Sequence, residues 1–166
     1  MNIFYTDTSP VIAAQNLCDC HVVKMILETA QMLSTAVILR NPNADPGLFY
    51  KPTHKNHPSS VWARSSLQNY NWLLEHFDAM NAEYTFRYGK THKSFALFDS
   101  FVKYTPVLQR DPFWEPPQCM PDEYKMTTAV DGYRKYYNSK QHTMKKAMVW
   151  KVRQPPIWFE KLKDKE

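Results

Sequence analysis

An all-α fold is what this sequence predicts: a compact single-domain helical bundle with long loops and an extended C-terminal tail. Three observations carry that prediction. Apolar positions recur at helical rather than alternating spacing along most of the 166 residues. Only three glycines but twelve prolines punctuate the chain, and proline fixes turns that glycine would loosen. Hydrophobic residues at 43% and charged residues at 22% form an ordinary globular mixture, and a chain of this length buries a core without staples.

The elements follow in order. The opening MNIFYTD reads as a short extended segment. TSP then starts a helix, with Ser9 as cap and Pro10 at the first helical position. From Val11 to about Leu39 the positions Val11, Ala14, Cys18, Val22, Met25, Thr29, Met32, Leu33 and Ala36 keep a helical period. Asp19 can cap a fresh helix there, so one bent helix and two in series both fit. RNPNADPGLFYKPTHKNHP is a loop by its Pro, Asn, Asp and Gly content. After Pro58, Ser59 or Ser60 caps a second long helix with Tyr70, Leu73, Phe77, Met80 and Tyr84 on one face, ended by Gly89. Ser94 to Tyr104 is a shorter helix that turns Phe95, Phe98, Phe101 and Val102 inward. A Pro-rich segment at about 105–126 is a structured loop or lid. Thr127 or Thr128 starts a last helix through about Val149, and the tail is extended, then charged. Residues 1–166 are read as one domain.

The totals bound function. A formal net charge of +5 and a pI near 9.0 favour an anionic partner, DNA or a nucleotide. No apolar run approaches the roughly 18 residues that span a bilayer, and no signal peptide opens the chain, so no membrane partner is expected. Cys18 and Cys20 are too close for an easy bridge and Cys119 is the odd one out, which suits a reducing cytoplasm, the host's if the chain is phage-encoded. Oligomeric state is left open.

The stretch HVVKMILETAQ carries the most chemistry. His21, Lys24, Glu28 and Gln31 form one stripe on a helix, opposite the apolar face of Val22, Met25, Ile26, Thr29, Met32 and Leu33. The plain reading is a solvated face with a Lys24–Glu28 pair worth about 0.2–0.5 kcal/mol. The sharper reading is catalytic. One imidazole, one amine and one carboxylate are the minimal set for proton transfer or imine chemistry, and they make His21, Lys24 and Glu28 the candidate catalytic residues.

Companions for binding phosphate or ligand come from two further stretches. KPTHKNHPSSVWAR supplies His54, Asn56 and His57 before a helix start, where amides attract phosphate, and then Arg64. EYTFRYGKTHKS supplies Arg87, Lys90, His92 and Lys93 around a helix end, where the dipole favours cations in any case. Trp62, Tyr88 and Trp114 are candidates to stack against a displaced base. Tyr133, Tyr136 and Tyr137 lie among Arg134, Lys135, Lys140, Lys145 and Lys146, and half of these tyrosines are assigned to the core. CDCH and HKNH contain ligand residue types without the paired spacing of a zinc site, so neither metal nor cofactor is expected. No phosphate-binding glycine loop, dinucleotide fingerprint or nucleophile-elbow serine is present.

In order, CDCHVVKMILETAQMLSTA, HKNHPSSVWARSSLQNY, EYTFRYGKTHKS, MPDEY, YRKYY and PPIWF resemble a family of short phage and bacterial proteins over nearly the whole chain. More distantly, the spacing from His21 to Glu28 on an early helix is similar to the catalytic helix of pyrimidine-dimer DNA glycosylases of the phage endonuclease V type. That resemblance implies a compact all-α fold, an amine that attacks the anomeric carbon of the damaged nucleotide, and a helix glutamate, here Glu28, that assists imine formation and strand cleavage. The arginine that precedes the glutamate in that family is Leu27 here. Asn2 follows Met1, and a bulky second residue usually prevents removal of the methionine. Met1 and Lys24 are therefore both open as the amine. The function expected is a DNA-base-directed glycosylase with AP-lyase activity through an imine, acting on damaged or modified pyrimidines. The alternative is a non-catalytic phage protein that holds a nucleotide or signalling nucleotide in the same pocket. Either way, Glu28 should meet His57, Arg64 and Arg87 in space.

Overall fold

The computed structural model describes residues 1–161, and the charged end of the tail at 162–166 lies outside the described residues. Among the described residues the regular structure is helical, without strand. Helix α1 spans Pro10–Gln15, α2 Asp19–Arg40, α3 Pro58–Ala63, α4 Leu67–Tyr88, α5 Phe98–Lys103 and α6 Ala129–Thr143. Short 3₁₀ turns lie at Pro46–Leu48, Lys93–Leu97 and Asp122–Tyr124.

The sequence left α1 and α2 as one bent helix or two, and there are two. Ser9 caps α1, accepting from Ile12 N at 3.3 Å. The break at Cys18 is held from outside: Cys18 N donates to Tyr137 Oη at 2.9 Å and Asp19 N to the Val149 carbonyl at 2.8 Å. The long helix expected after Pro58 is likewise divided. Ser66 adopts an extended backbone and its hydroxyl accepts from Asn69 N at 3.2 Å, which restarts the helix as α4. The cap of α3 is His57, ahead of Ser59 and Ser60: its Nδ1 accepts from Ser59 N at 3.2 Å, with Pro58 in the first position. Gly89 ends α4 in the left-handed region at φ 68°, where a side chain would be strained. Helix α6 stops at Thr143, six residues short of the expected end, because Val149 turns back to Asp19.

The core lies where α2 packs against α4, with α1 and α3 beside them. These two long helices run antiparallel, since Arg87 near the end of α4 pairs with Asp19 at the start of α2. Every residue expected on the apolar face of α2 is buried, as are Tyr70, Leu73, Phe77, Met80 and Tyr84 of α4. Each large side chain enclosed this way stabilises the fold by about 1.5–3 kcal/mol. Helix α2 is long enough and apolar enough to cross a bilayer, but 61% of its most hydrophobic window is buried inside the protein, as a core helix requires. On α5 the inward face is Phe101 with half-buried Phe98, whereas Val102 points to solvent. The Pro-rich segment is stitched down along its length. Val107 N bonds to Arg40 O, Leu67 N to Gln109 O, Trp62 Nε1 to Trp114 O and Tyr133 Oη to Pro117 O, at 2.7–3.0 Å.

One buried group sets an acid limit on this core. His76 is fully buried, its Nδ1 donating to the Pro10 carbonyl at 2.9 Å, while Nε2 has no hydrogen-bond partner among the described residues. Burial pushes its pKa down from 6.5 to about 4, and the bond to Pro10 only partly opposes the shift. An unfolded histidine takes up its proton below about 6.5, while the folded one refuses it until about 4. Stability is therefore full above pH 6.5 and falls by about 3 kcal/mol as the pH drops through that window. Urea midpoints measured from pH 7.5 to 4.5 should show this loss, and His76→Gln should flatten it.

Candidate active site

A pocket of about 410 Å³ opens beside the first three turns of α2. Helix α2 contributes His21, Lys24, Met25 and Glu28; the N-terminal segment adds Met1, Asn2 and Phe4. The far wall is Tyr136, Lys140 and Thr143 of α6 with Met144, and the Pro-rich segment supplies Cys119. A cavity of similar size between α1 and α4 is lined by Glu75, Asp78 and Glu83 with Arg153 as its cation. That wall is predominantly negative and suits a phosphate chain poorly.

Glu28 is the hub of the pocket at 17% exposure. Its Oε2 accepts from Asn2 N at 3.2 Å and lies 3.8 Å from the Met1 amine, while Oε1 lies 3.4 Å from Lys24 Nζ. Two amines thus flank one carboxylate. The N-terminal residues are held there by local turns rather than by a strand. Asn2 Oδ1 accepts from Ile3 N at 2.8 Å and Phe4 N at 3.2 Å, and Asn2 Nδ2 donates to Cys119 O at 3.2 Å. Phe4 takes a left-handed backbone at φ 55°, which is costly for a bulky residue. The buried Phe4 ring then stacks on His21 at 4.9 Å and meets Tyr137 edge-on at 5.1 Å.

His21 joins this pocket to a second cluster. Its Nδ1 lies 2.8 Å from Tyr137 Oη and 3.5 Å from Cys18 Sγ, and Cys18 Sγ lies 3.5 Å from Cys20 Sγ. All three cysteines are free thiols. Cys18 is drawn well below the ordinary thiol range, first by its hydrogen bond with Cys20 and then by His21 and Tyr137, against the opposing effect of burial.

The remaining candidates divide sharply. His57 is near: burial lowers its pKa first, the charge of the Met1 amine lowers it further, and Glu28 pulls the other way. It is neutral near pH 7, with Nδ1 committed to capping α3. His54 adds to that lowering and has a left-handed backbone at φ 46°. Arg64 is not brought to Glu28. It clips its own loop, donating to Ser60 O at 2.8 Å and Lys55 O at 2.6 Å. Arg87 is placed elsewhere as well, with a guanidinium at 0% exposure engaged by Glu83, Asp19 and two backbone carbonyls. Lys90 and Lys93 are exposed and do not line the pocket, and His92 Nδ1 caps the 3₁₀ turn after α4. Trp62 is buried, its Nε1 bonded to Trp114 O at 2.8 Å, and with Asn56 and half-exposed Trp114 it lines a separate open groove. Tyr88 lies under Lys151, 5.4 Å from its ring centre.

A family model described as pyrimidine dimer DNA glycosylase matches residues 1–97. That stretch is more than half of the 166 residues and contains α1 to α4, the N-terminal turn and Glu28. The chain belongs to the pyrimidine dimer DNA glycosylase family. No curated protein and no solved structure matches it. For this glycosylase-family chain, membership makes DNA the substrate class, and the α2 and N-terminal walls of the pocket, Glu28 included, lie within the matched region. The sequence did not flag Asn2, Phe4 and Cys119, which also line the pocket, whereas Tyr136 and Lys140 belong to the basic, tyrosine-rich stretch it singled out. Asn2 alone carried a local signal, the asparagine preference for bonding its own following amides. Tyr136, Lys140 and Cys119 arrive from beyond the matched region through tertiary packing.

Proposed function

We propose that this glycosylase excises pyrimidine dimers and then cleaves the strand through an imine formed by an amine beside Glu28. The observation that carries the reading is the pair of amines within 3.8 Å of one partly buried carboxylate. The amine lone pair attacks C1′ of the damaged nucleotide. The C1′–N1 bond breaks, its electron pair leaves with the base, and the base takes up a proton. The attacking nitrogen then loses a proton while the C1′–O4′ bond opens and O4′ gains one, leaving the protonated imine. Loss of a C2′ proton and departure of the 3′ phosphate complete β-elimination. Glu28 receives and returns these protons, with Asn2 N–H fixing one carboxylate oxygen.

The Met1 amine is the favoured nucleophile. Its side chain is 2% exposed against 67% for Lys24, so it is held at the pocket while Lys24 samples solvent. Leu27, at 39% exposure, stands where the family's arginine would be. Lys24 and Lys140, with exposed Lys145 and Lys146 just beyond α6, form the basic rim that grips phosphate instead.

Borohydride trapping tests this directly. Irradiated duplex and abasic duplex should each yield a reduced protein–DNA adduct, and undamaged duplex none. Blocking the Met1 amine should abolish the adduct, and Lys24→Ala should keep it. The reverse pattern would make Lys24 the nucleophile. Absence of adduct and of strand cleavage with every substrate would overturn catalysis in favour of simple binding.

A further inference from the structure

The first turn of α2 gathers two thiols and an imidazole that the excision chemistry does not use. Cys18 Sγ, Cys20 Sγ and a ring nitrogen of His21 all lie within 4.8 Å of one another. Zinc–sulfur bonds of about 2.3 Å and zinc–nitrogen bonds of about 2.0–2.1 Å place tetrahedral ligands about 3.8 Å apart for S···S and about 3.5 Å for S···N. The spacings here are 3.5 Å for Cys18 Sγ to Cys20 Sγ and 3.5 Å for Cys18 Sγ to His21 Nδ1. Two of the three separations already match a tetrahedral face, and the third, from Cys20 Sγ to the His21 ring, is within 4.8 Å. His21 Nδ1 shares a hydrogen bond with Tyr137 Oη at 2.8 Å while Tyr137 Oη also accepts from Cys18 N, and in the tautomer that leaves Nδ1 unprotonated this nitrogen offers its lone pair. The N-terminal end of a 22-residue helix dipole favours negative charge at this position. Cys18 is fully buried while Cys20 is half-buried, so the cluster has a solvent side from which an ion enters.

We propose that Cys18, Cys20 and His21 form a site for one thiophilic divalent ion of the zinc class, with a fourth position open to water. Binding replaces each remaining S–H bond by a sulfur–metal bond, the proton leaving to solvent, and the metal displaces Tyr137 Oη from His21 Nδ1. Because His21 also walls the pocket under Phe4, an occupied site fixes that ring from behind. The inference stands apart from the excision reading, since uptake is measured without DNA.

Cobalt(II) and zinc(II) are the probes. Reduced, chelator-stripped full-length protein should bind one cobalt per chain, with thiolate-to-cobalt charge-transfer absorption and visible bands of tetrahedral intensity, and stoichiometric zinc should bleach both. Cys20→Ser, chosen because the side chain is half-buried and serine is close to it in size, should weaken affinity by more than the roughly 10–100-fold that loss of an outer-shell partner costs. Cys119→Ser should bind as the native protein does. Uptake below one ion per chain, uptake unchanged in Cys20→Ser, or uptake lost in Cys119→Ser would each overturn the site.

Discussion

Glu28→Gln is expected to lower dimer excision by about 10²–10⁴-fold while the protein stays folded and still binds irradiated duplex. Glutamine keeps the shape of the side chain and an oxygen to accept from Asn2 N, which now bonds Oε2 at 3.2 Å. It cannot hold or return a proton, and it removes the negative charge between the Met1 amine and Lys24. Chemistry should therefore fail where recognition survives. Single-turnover cleavage of an irradiated duplex, compared with its binding isotherm, separates the two. Excision within about tenfold of native, a change of only about 1.4 kcal/mol in barrier, would remove Glu28 from proton transfer. The borohydride adduct sharpens the result, because a variant that still forms the imine but does not eliminate places Glu28 in the second step.

How much of this was legible in the sequence depends on the range of the interaction that makes it. The apolar face of α2 and the stripe opposite it follow from a 3.6-residue period, and both lie as that period demands. The cap at Ser9 and the stop at Gly89 are equally local, set by one side chain and one backbone conformation. The break at Ser66 is local too, since its hydroxyl accepts from Asn69 N three residues on, but the α1–α2 junction is not: it is held by Tyr137 and Val149, more than 100 residues away. The same limit governs the site. Lys24 and Glu28 are i,i+4 neighbours and could be paired on paper, but nothing local tells that Met1 folds back over the same carboxylate. That return rests on Phe4 in a left-handed backbone and on Asn2 reaching Cys119, neither of which has a periodic signature. Arg87 shows the opposite failure. A cation in the last turn of an exposed-looking helix reads as a phosphate ligand until tertiary packing buries it.

That burial makes Arg87 the position with the largest expected effect on stability. Arg87→Met should cost about 3–5 kcal/mol, the range for removing one partner from a buried ionic network. The native guanidinium donates to Glu83 at 2.7 Å, to Leu17 O at 2.8 Å, to Asp19 at 2.9 Å and to Gln15 O at 3.1 Å. It therefore ties the end of α1 and the start of α2 to the last turn of α4. Methionine fills much of the volume but leaves two carbonyls and the Asp19 carboxylate short of a donor, and Glu83 at 3% exposure with Arg153 alone. For a chain of this size the loss corresponds to a fall of roughly 6–20 °C in Tm. A structural and a phosphate-binding role predict different salt behaviour. Deleting a phosphate contact lowers the slope of log affinity against log salt by about 1, whereas deleting a buried tie leaves it unchanged at a temperature where the variant is folded. A salt slope lowered by that amount with Tm intact would return Arg87 to the DNA interface. The expected result, a lower Tm with an unchanged slope, would mean that the cation serves the site only by fixing the first turn of α2, which carries Cys18, Cys20 and His21 to within reach of the pocket.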